Sequence, residues 1–183
     1  MNFGKTPQEA MDNPFKPFLA SAFYQSIDMV AAGLGCEVTS YETTHDYSLA
    51  NQPIETDAGI VEENTIALSH FRHIGRTKEG VEIVEEQIWY VDDIGQTRLQ
   101  TKWDIPRESG WRINIEGDPN LIIDIDFPPG LSIREHVAQG MSTTGFHLVN
   151  SVALVCEAKD PGIKTYLDLP MITGRMGTHV TRR

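Results

Sequence analysis

Two stretches of alternating apolar and polar residues constrain the fold of this 183-residue chain most strongly. In the first, residues 65–91, the runs TIALSHFRHI and VEIVEEQIWYV flank the polar loop GRTKEG. In the second, residues 111–127, apolar residues recur at every other position on both sides of a turn at 117–120. Successive side chains of a strand point to opposite faces, so each stretch predicts a β-hairpin. Together the two hairpins predict an antiparallel sheet with one face in water.

Apolar residues at three- and four-residue steps predict helices before and after these strands. Residues 18–34 carry such a stripe, and Gly35 follows at the position where a left-handed helix end is expected. After Gly140 the segment MSTTGFHLVNSVALVCEA predicts the last helix, which is ended by the Asp-Pro-Gly sequence at 160–162.

Helices on both sides of a run of antiparallel strands predict an α+β fold rather than an alternating βαβ fold. We expect a mostly antiparallel open sheet of about four to six strands with helices packed on one face. The sequence predicts a single α+β domain over 18–173, preceded by a lead-in segment at 1–17 and followed by a flexible tail at 174–183. Within the lead-in segment, Thr6 and Glu9 predict a short helix with a capping box.

The composition excludes several classes of protein. The chain carries 26 acidic and 15 basic residues, which gives a formal net charge of −11. Binding to phosphates needs clustered Lys and Arg, so a general nucleic-acid-binding protein is excluded and an anionic membrane surface is disfavoured. There is no apolar run near the ~20 residues of a membrane span and no secretory signal pattern, so a cytoplasmic location is expected. The two cysteines, Cys36 and Cys156, lie among apolar residues and are predicted to be buried free thiols.

Eight acidic residues and no basic residue lie between Lys16 and Arg72. Such a stretch is typical of a solvated surface, and a site for a cation or an amine is the alternative. We favour the solvated surface.

The common cofactor, metal and nucleophile motifs are absent. Gly33 and Gly35 form a GxG pair, but they end a helix instead of starting one, so no cofactor-binding residue is assigned. His70 and His73 are three apart in a predicted strand and so lie on opposite faces, and no metal site is expected. The chain has no GxSxG sequence, and carboxylates such as Asp124 are as typical of a solvated sheet face as of a general base. Catalytic residues are therefore left unassigned.

The last predicted helix carries most of the candidate substrate-binding residues. Thr143, His147, Asn150 and Ser151 form a polar stripe at helical spacing beside an apolar stripe. These side chains either bind a small ligand or hydrogen-bond to neighbouring loops or a second subunit, and the sequence leaves both interpretations open. The candidates on this helix are Thr143, Thr144, His147 and Asn150.

Two tryptophans and one interrupted strand complete the candidate set. Trp89 and Trp111 are candidate apolar walls of a substrate pocket, with plain sheet core as the alternative for each. On the strand at 81–91, Glu85 and Gln87 interrupt a face that is otherwise apolar. A polar pair at that position indicates either a slipped register or the wall of a pocket.

The closing segment carries a resemblance to a known family. The residues VNSVALVCEAKDPGIKTYLDLPMITGR contain Val-Asn, a short apolar stretch, a Pro-Gly turn and Asp-Leu-Pro. This order resembles the closing segment of dehydrogenases related to 2,4-diaminopentanoate dehydrogenase and to dihydrodipicolinate reductase-like proteins. The start MNFGKTP, the helix ending in AAGLG, and the segments ENTIA and IEGDPNLIIDIDF are similar to the same family, so nearly the whole chain is covered. The matching closing positions are Val149, Asn150, Pro161, Gly162, Asp168, Leu169 and Pro170, and Ala153 stands where the family usually has a proline.

The resemblance implies part of an NAD(P)-dependent oxidoreductase that acts at a carbon–nitrogen bond. In that family an N-terminal Rossmann domain holds the cofactor, and a C-terminal α+β domain shapes the substrate pocket and builds a dimer. Since this sequence has no Rossmann domain, we expect the substrate-binding and dimerisation half, without a cofactor of its own and without independent turnover. The implied partners are a small amine or carbonyl substrate, a second copy of the chain and a separate Rossmann-domain chain.

Two other classes stay open from the sequence. One is a stand-alone α+β module that holds an apolar small molecule without turnover, and the other is a purely structural dimer.

Overall fold

A computed structural model describes residues 2–12, 16–91 and 110–172. They fall in two compact units, Met1–Pro106 and Arg107–Arg183, and each unit is described by itself. The predicted tail at 174–183 lies outside the described residues. The domain boundaries that the sequence indicates stay a prediction.

The first unit opens with α1, Pro7–Met11, which has the predicted capping box. The backbone N–H and the hydroxyl of Thr6 donate to the Glu9 carboxylate at 2.7 and 2.8 Å. The segment before the helix is attached to Ile66 by two backbone hydrogen bonds. The Gly4 N–H donates to the Ile66 carbonyl at 3.0 Å, and the Ile66 N–H donates to the Lys5 carbonyl at 2.9 Å. The described part of the lead-in segment, residues 2–12, is therefore more firmly held than its irregular composition indicates.

Helix α2, Lys16–Leu34, confirms the first long helix and begins two residues earlier than predicted. Gly35 has a φ of +73°, as a left-handed helix end requires, and Cys36 N–H donates to the Ala31 carbonyl at 2.8 Å. Ile27 and Ala31 are fully buried on the face that contacts the sheet.

The main sheet has three antiparallel strands in the order β1, β4, β5, so that β4 is central. Their bounds are Val38–Leu49 for β1, Ile66–Thr77 for β4 and Glu82–Tyr90 for β5. Between β1 and β4, the strands β2, Ile54–Thr56, and β3, Gly59–Val61, form a short hairpin. A small core joins this hairpin to the main sheet through Ala50, Ile54, Val61 and Ala67, with Val91 packed against it.

Two segments of the first unit differ from the sequence prediction. Residues 38–49 form one twelve-residue strand, whereas the sequence at 36–64 predicts only extended and loop segments. The segment GRTKEG was expected to be a loop, but it continues strand β4 as far as Thr77. The Thr77 hydroxyl closes the turn that follows, because it accepts from the Val81 N–H at 2.9 Å and donates to the Val81 carbonyl at 3.0 Å. Arg76 is held in the strand by ion pairs to Glu42 and Glu82 at 2.9 and 3.3 Å.

The second unit contains the other predicted hairpin and one long helix. Strands β6, Trp111–Ile115, and β7, Leu121–Ile125, pair in the register that the alternation predicts. Arg112 and Asp124 face each other and form a bidentate ion pair with bonds of 2.7 and 3.0 Å. Every residue of both strands is exposed.

Helix α3, Ile133–Glu157, begins eight residues before the predicted start. Ser132 caps it, and Glu135 bonds back to the Ser132 N–H at 2.8 Å, so a second capping box fixes the beginning of the helix. The glycine at 140, which suggested a break, lies inside the helix.

These elements confirm the α+β class with antiparallel strands. Seven strands of the described residues are divided between the three-stranded sheet and two hairpins, so the two predicted hairpins lie in different sheets. Among the described helices, none combines the length and the apolar character needed to cross a membrane.

The cysteines are free, as predicted, but the prediction that both are buried is wrong. Cys36 is half-buried, and Cys156 is exposed near the end of α3. The apolar neighbours that suggested burial, Val152 and Val155, are themselves exposed.

Candidate functional site

One face of the main sheet carries most of its aromatic side chains, together with several polar ones. Residues directly opposite each other in an antiparallel pair share a face, and three consecutive rows of β1, β4 and β5 contribute here. We call this surface the aromatic–polar face. Its rows are Thr43–His73–Glu85, His45–Phe71–Gln87 and Tyr47–Ser69–Trp89.

Helix α2 covers the end of this face next to Thr43. Ile27 lies against Gly75, where a Cβ atom would be only 2.3 Å from the Ile27 Cγ2 atom. Phe23 stacks on the imidazole of His73 with 4.8 Å between ring centres. The close approach that glycine permits therefore places α2 on the sheet and buries His73, which is 1% exposed.

A chain of hydrogen-bonding groups orients His73. The Tyr24 hydroxyl lies 3.0 Å from the Thr43 hydroxyl, which lies 2.9 Å from the His73 Nδ1 atom. The other ring nitrogen, Nε2, is buried and has no hydrogen-bond partner among the described residues. Burial lowers the pKa of His73, an effect larger than the opposite influence of the neighbouring Glu85. His73 is therefore a neutral, oriented imidazole at neutral pH, with one buried nitrogen that no described residue satisfies.

A second chain of bonds runs along β5. The Trp89 indole N–H donates to the Gln87 side-chain oxygen at 3.1 Å, and the Gln87 amide donates to the Glu85 Oε1 atom at 2.7 Å. The second carboxylate oxygen, Oε2, is buried and lacks a hydrogen-bond partner among the described residues. The β4–β5 register continues without a shift past these residues, so the slipped-register interpretation of Glu85 and Gln87 is wrong.

Aromatic rings line the middle of the face. His45 stacks on Phe71 with ring centres 4.0 Å apart, and Phe71 lies parallel to His73 at 6.3 Å. Tyr47 meets the His45 ring edge-on at 5.8 Å. The two available polar atoms of Glu85 and His73 therefore border an aromatic surface that suits the carbon skeleton of a small organic ligand.

The opposite face of the same strands has a different chemistry. His70 bonds to Glu86 at 2.5 Å, and Arg72 lies 3.9 Å from the same carboxylate. His70 and His73 thus lie on opposite faces, as predicted. Within the described ranges no cluster of three His, Cys, Asp or Glu side chains could hold a metal ion.

On α3 the predicted candidates are together, but their hydroxyls are engaged within the helix. Thr143 donates to the Gln139 carbonyl at 2.9 Å, and Thr144 donates to that of Gly140 at 3.3 Å. His147 contacts the ring of Tyr166 at 5.1 Å, and Asn150 is half-buried. Hydroxyls that bond to the preceding turn of their own helix are less available to a ligand.

The closing motif also has a local structural role. The Asp168 carboxylate accepts bonds from the Thr165 hydroxyl and backbone N–H at 2.6 and 2.8 Å, which hold the pKa of Asp168 below its usual value. This turn borders a shallow depression at the end of α3. Its lining includes Leu154, Glu157, Lys159, Lys164, Leu169 and Pro170.

The predicted site residues are divided between the two units. Trp89 lies in the last row of the aromatic–polar face and is half exposed, whereas Trp111 lies in β6 and contacts Phe127. The sequence pattern alone does not indicate His45, Phe71 and His73 as site residues, since their shared face depends on the register of three strands. The polar interruption at Glu85 and Gln87 was the available signal. Ligand binding by the six predicted residues stays a prediction.

Comparison with known proteins gives two findings. The family model of the 2,4-diaminopentanoate dehydrogenase C-terminal domain matches residues 20–182. The fold is similar to the solved structure of an amine dehydrogenase from Mycobacterium smegmatis, with a TM-score of 0.65 and 22% sequence identity. That similarity covers 94% of this chain and 46% of the other protein, so this chain spans less than half of its length. No curated protein sequence matches.

Proposed function

The chain belongs to the family of the 2,4-diaminopentanoate dehydrogenase C-terminal domain, and from that premise we propose that it is the substrate-binding and dimerisation half of an NAD(P)-dependent oxidoreductase acting at a carbon–nitrogen bond. Its substrate site is the aromatic–polar face. The observation that carries this proposal is the pair of buried, oriented polar atoms, Glu85 Oε2 and His73 Nε2, beside stacked rings. The similar solved structure is an amine dehydrogenase, which supports an amine or the corresponding carbonyl compound as the ligand.

The described residues do not fit a dinucleotide. Pyrophosphate binds to backbone N–H groups where a glycine-rich turn starts a helix. Gly33 and Gly35 instead end α2, and the start of α3 is occupied by the Glu135 carboxylate. We therefore assign the cofactor to a Rossmann domain outside these residues and propose no turnover by the described residues alone.

The exposed hairpin of the second unit supports association with a second copy. Its two strands leave a row of large apolar side chains about half exposed, and such patches mark interaction surfaces. Sedimentation equilibrium should give a mass that rises with concentration toward twice 20.5 kDa, and a constant mass of one chain would contradict the dimer. The residues of this row are Trp111, Ile113, Ile115, Leu121, Ile123 and Ile125.

Tryptophan fluorescence tests the location of the substrate site. Adding cyclohexanone or cyclohexylammonium should change the emission of the full chain in a saturable way, because Trp89 borders the site and bonds to Gln87. The response should be lost in Trp89→Phe and kept in the matched control Trp111→Phe, since Trp111 lies in the other unit. A response that is lost in the Trp111 variant and kept in the Trp89 variant would refute the site.

A further inference from the structure

On its own side of the sheet, Glu85 faces no positively charged side chain among the residues that the structure describes. Among the described residues, none of the nine members of the aromatic–polar face is Lys or Arg. The two arginines of β4, Arg72 and Arg76, lie on the opposite face and pair there with other carboxylates. The contacts that the described side chains of α2 make with this end of the face come from Phe23, Tyr24 and Ile27, which carry no positive charge. Glu85 is half-buried with its Oε2 atom fully buried, and burying a carboxylate oxygen is costly unless a cation or a donor reaches it.

The Glu85 side chain is nevertheless held in place. The Gln87 amide donates to one of its oxygens, and the Trp89 indole N–H donates to the oxygen of Gln87, so each of these two side chains is oriented by the next one along β5. The remaining oxygen is directed toward no hydrogen-bond donor among the described residues. An acceptor that is oriented by neighbours and left available is typical of a binding group.

His73 lies directly opposite Glu85 in the register, so their Cβ atoms are ~4.5–5.5 Å apart, as in other directly opposite pairs. The His73 Nε2 atom and the Glu85 Oε2 atom, both buried and without a partner among the described residues, can therefore bind the same ligand group. When Nδ1 donates its proton to Thr43, Nε2 is an acceptor, and the site then presents two acceptors. An ammonium group carries three N–H donors, whereas a carbonyl oxygen carries none.

We infer that Glu85, positioned by Gln87 and Trp89, is the residue that makes this site selective for a cationic amine, and that its free carboxylate oxygen and the His73 Nε2 atom bind the ammonium group. The carbon skeleton then lies along Phe71 and His45. This inference rests on the proposed function, because it assigns a charge preference to the same site.

The test compares a cation with a neutral ligand of the same ring size. Calorimetry on the full chain at neutral pH should show that cyclohexylammonium binds the natural protein at least about 10-fold more tightly than cyclohexanone, given an interaction with a partly buried carboxylate. In Glu85→Gln the affinity for cyclohexylammonium should fall by about 30-fold or more. The affinity of that variant for cyclohexanone should not fall, which also shows that the face is still folded.

Glu82→Gln is the matched control. Glu82 lies on the opposite face of the same strand and pairs with Arg76, so this variant removes the same charge without touching the site. It should bind both probes as the natural protein does. Equal affinity of the natural protein for the two probes, or an unchanged ammonium affinity in Glu85→Gln, would overturn the inference and leave the proposed function standing. If neither probe binds the natural protein, the proposed function itself fails and the inference fails with it.

Discussion

Replacing Gly75 by alanine is expected to lower the free energy of unfolding by about 1–3 kcal/mol, because the new methyl group overpacks the contact between α2 and the sheet. The added Cβ atom would lie 2.3 Å from the Ile27 Cγ2 atom and 3.5 Å from the Val38 Cγ1 atom. Ile27 is 1% exposed and has no room to turn away, so α2 or the centre of β4 must shift.

Urea denaturation measures this change, and Gly145→Ala is the matched control. Gly145 lies inside α3, and a Cβ atom there would have no neighbour within 4 Å. Alanine at that position should raise stability by about 0.5–1 kcal/mol through its better helix propensity. Opposite signs at the two glycines are therefore expected. A Gly75→Ala protein as stable as the natural one would show that α2 does not rest on this strand.

Truncating Ile27 to alanine is expected to lower the free energy of unfolding by about 2–5 kcal/mol, because a fully buried side chain is lost and a cavity remains. Ile27 is among the largest fully buried side chains of the described residues. In the Ile27→Ala protein the further change Gly75→Ala should be nearly neutral, since the clashing Cγ2 atom is gone. The double-mutant cycle of Ile27→Ala and Gly75→Ala should therefore give an interaction energy of about 1 kcal/mol or more. The double variant should be more stable by that amount than the sum of the two single effects predicts.

Val30→Ala is the control for this second prediction. Val30 lies on the same helix and is 46% exposed, so its truncation should change stability by no more than about 0.5 kcal/mol. Strict additivity of Ile27→Ala and Gly75→Ala would contradict the described contact. Because the same helix carries Phe23 onto His73, this cycle also tests the packing that closes one end of the aromatic–polar face.

Local patterns predicted those parts of the fold that depend on apolar periodicity. Helix α2 and the β6–β7 hairpin each have a regular apolar stripe, and both were located closely. Strand β1 was not recognised because its sequence, VTSYETTHDYSL, is polar on both faces. The start of α3 was missed although Ser132 and Glu135 spell a capping box, since Gly140 suggested a break.

Gly75 shows why a loop signal misled the prediction. Glycine next to charged residues is typical of a turn, but here glycine is required by the close approach of Ile27. Arg76, which follows it, is stabilised in the strand by carboxylates on both neighbouring strands. Both causes are tertiary, so the segment 75–80 alone could not reveal them.

The candidate site was harder to predict than the fold. Its residues come from three strands whose register is not visible in the sequence, and each residue alone has an ordinary structural explanation. On α3 the opposite holds, because the spacing of Thr143, His147 and Asn150 suggests a ligand-facing stripe. The hydroxyls of the two threonine candidates, Thr143 and Thr144, nevertheless bond to the helix backbone. The interruption of the β5 pattern at Glu85 and Gln87 was the informative signal, and it gained meaning only with the register.

Imidazole nitrogen NMR gives the most direct test of where the ligand binds. His73 faces the site, whereas His70 lies on the other side of the same strand and His147 lies on α3 in the second unit. Adding cyclohexylammonium to the full chain should shift the ring nitrogens of His73 in a saturable way and leave those of His70 and His147 unchanged. Shifts at His147 with an unchanged His73 would place the ligand on α3 and contradict the assignment of the aromatic–polar face.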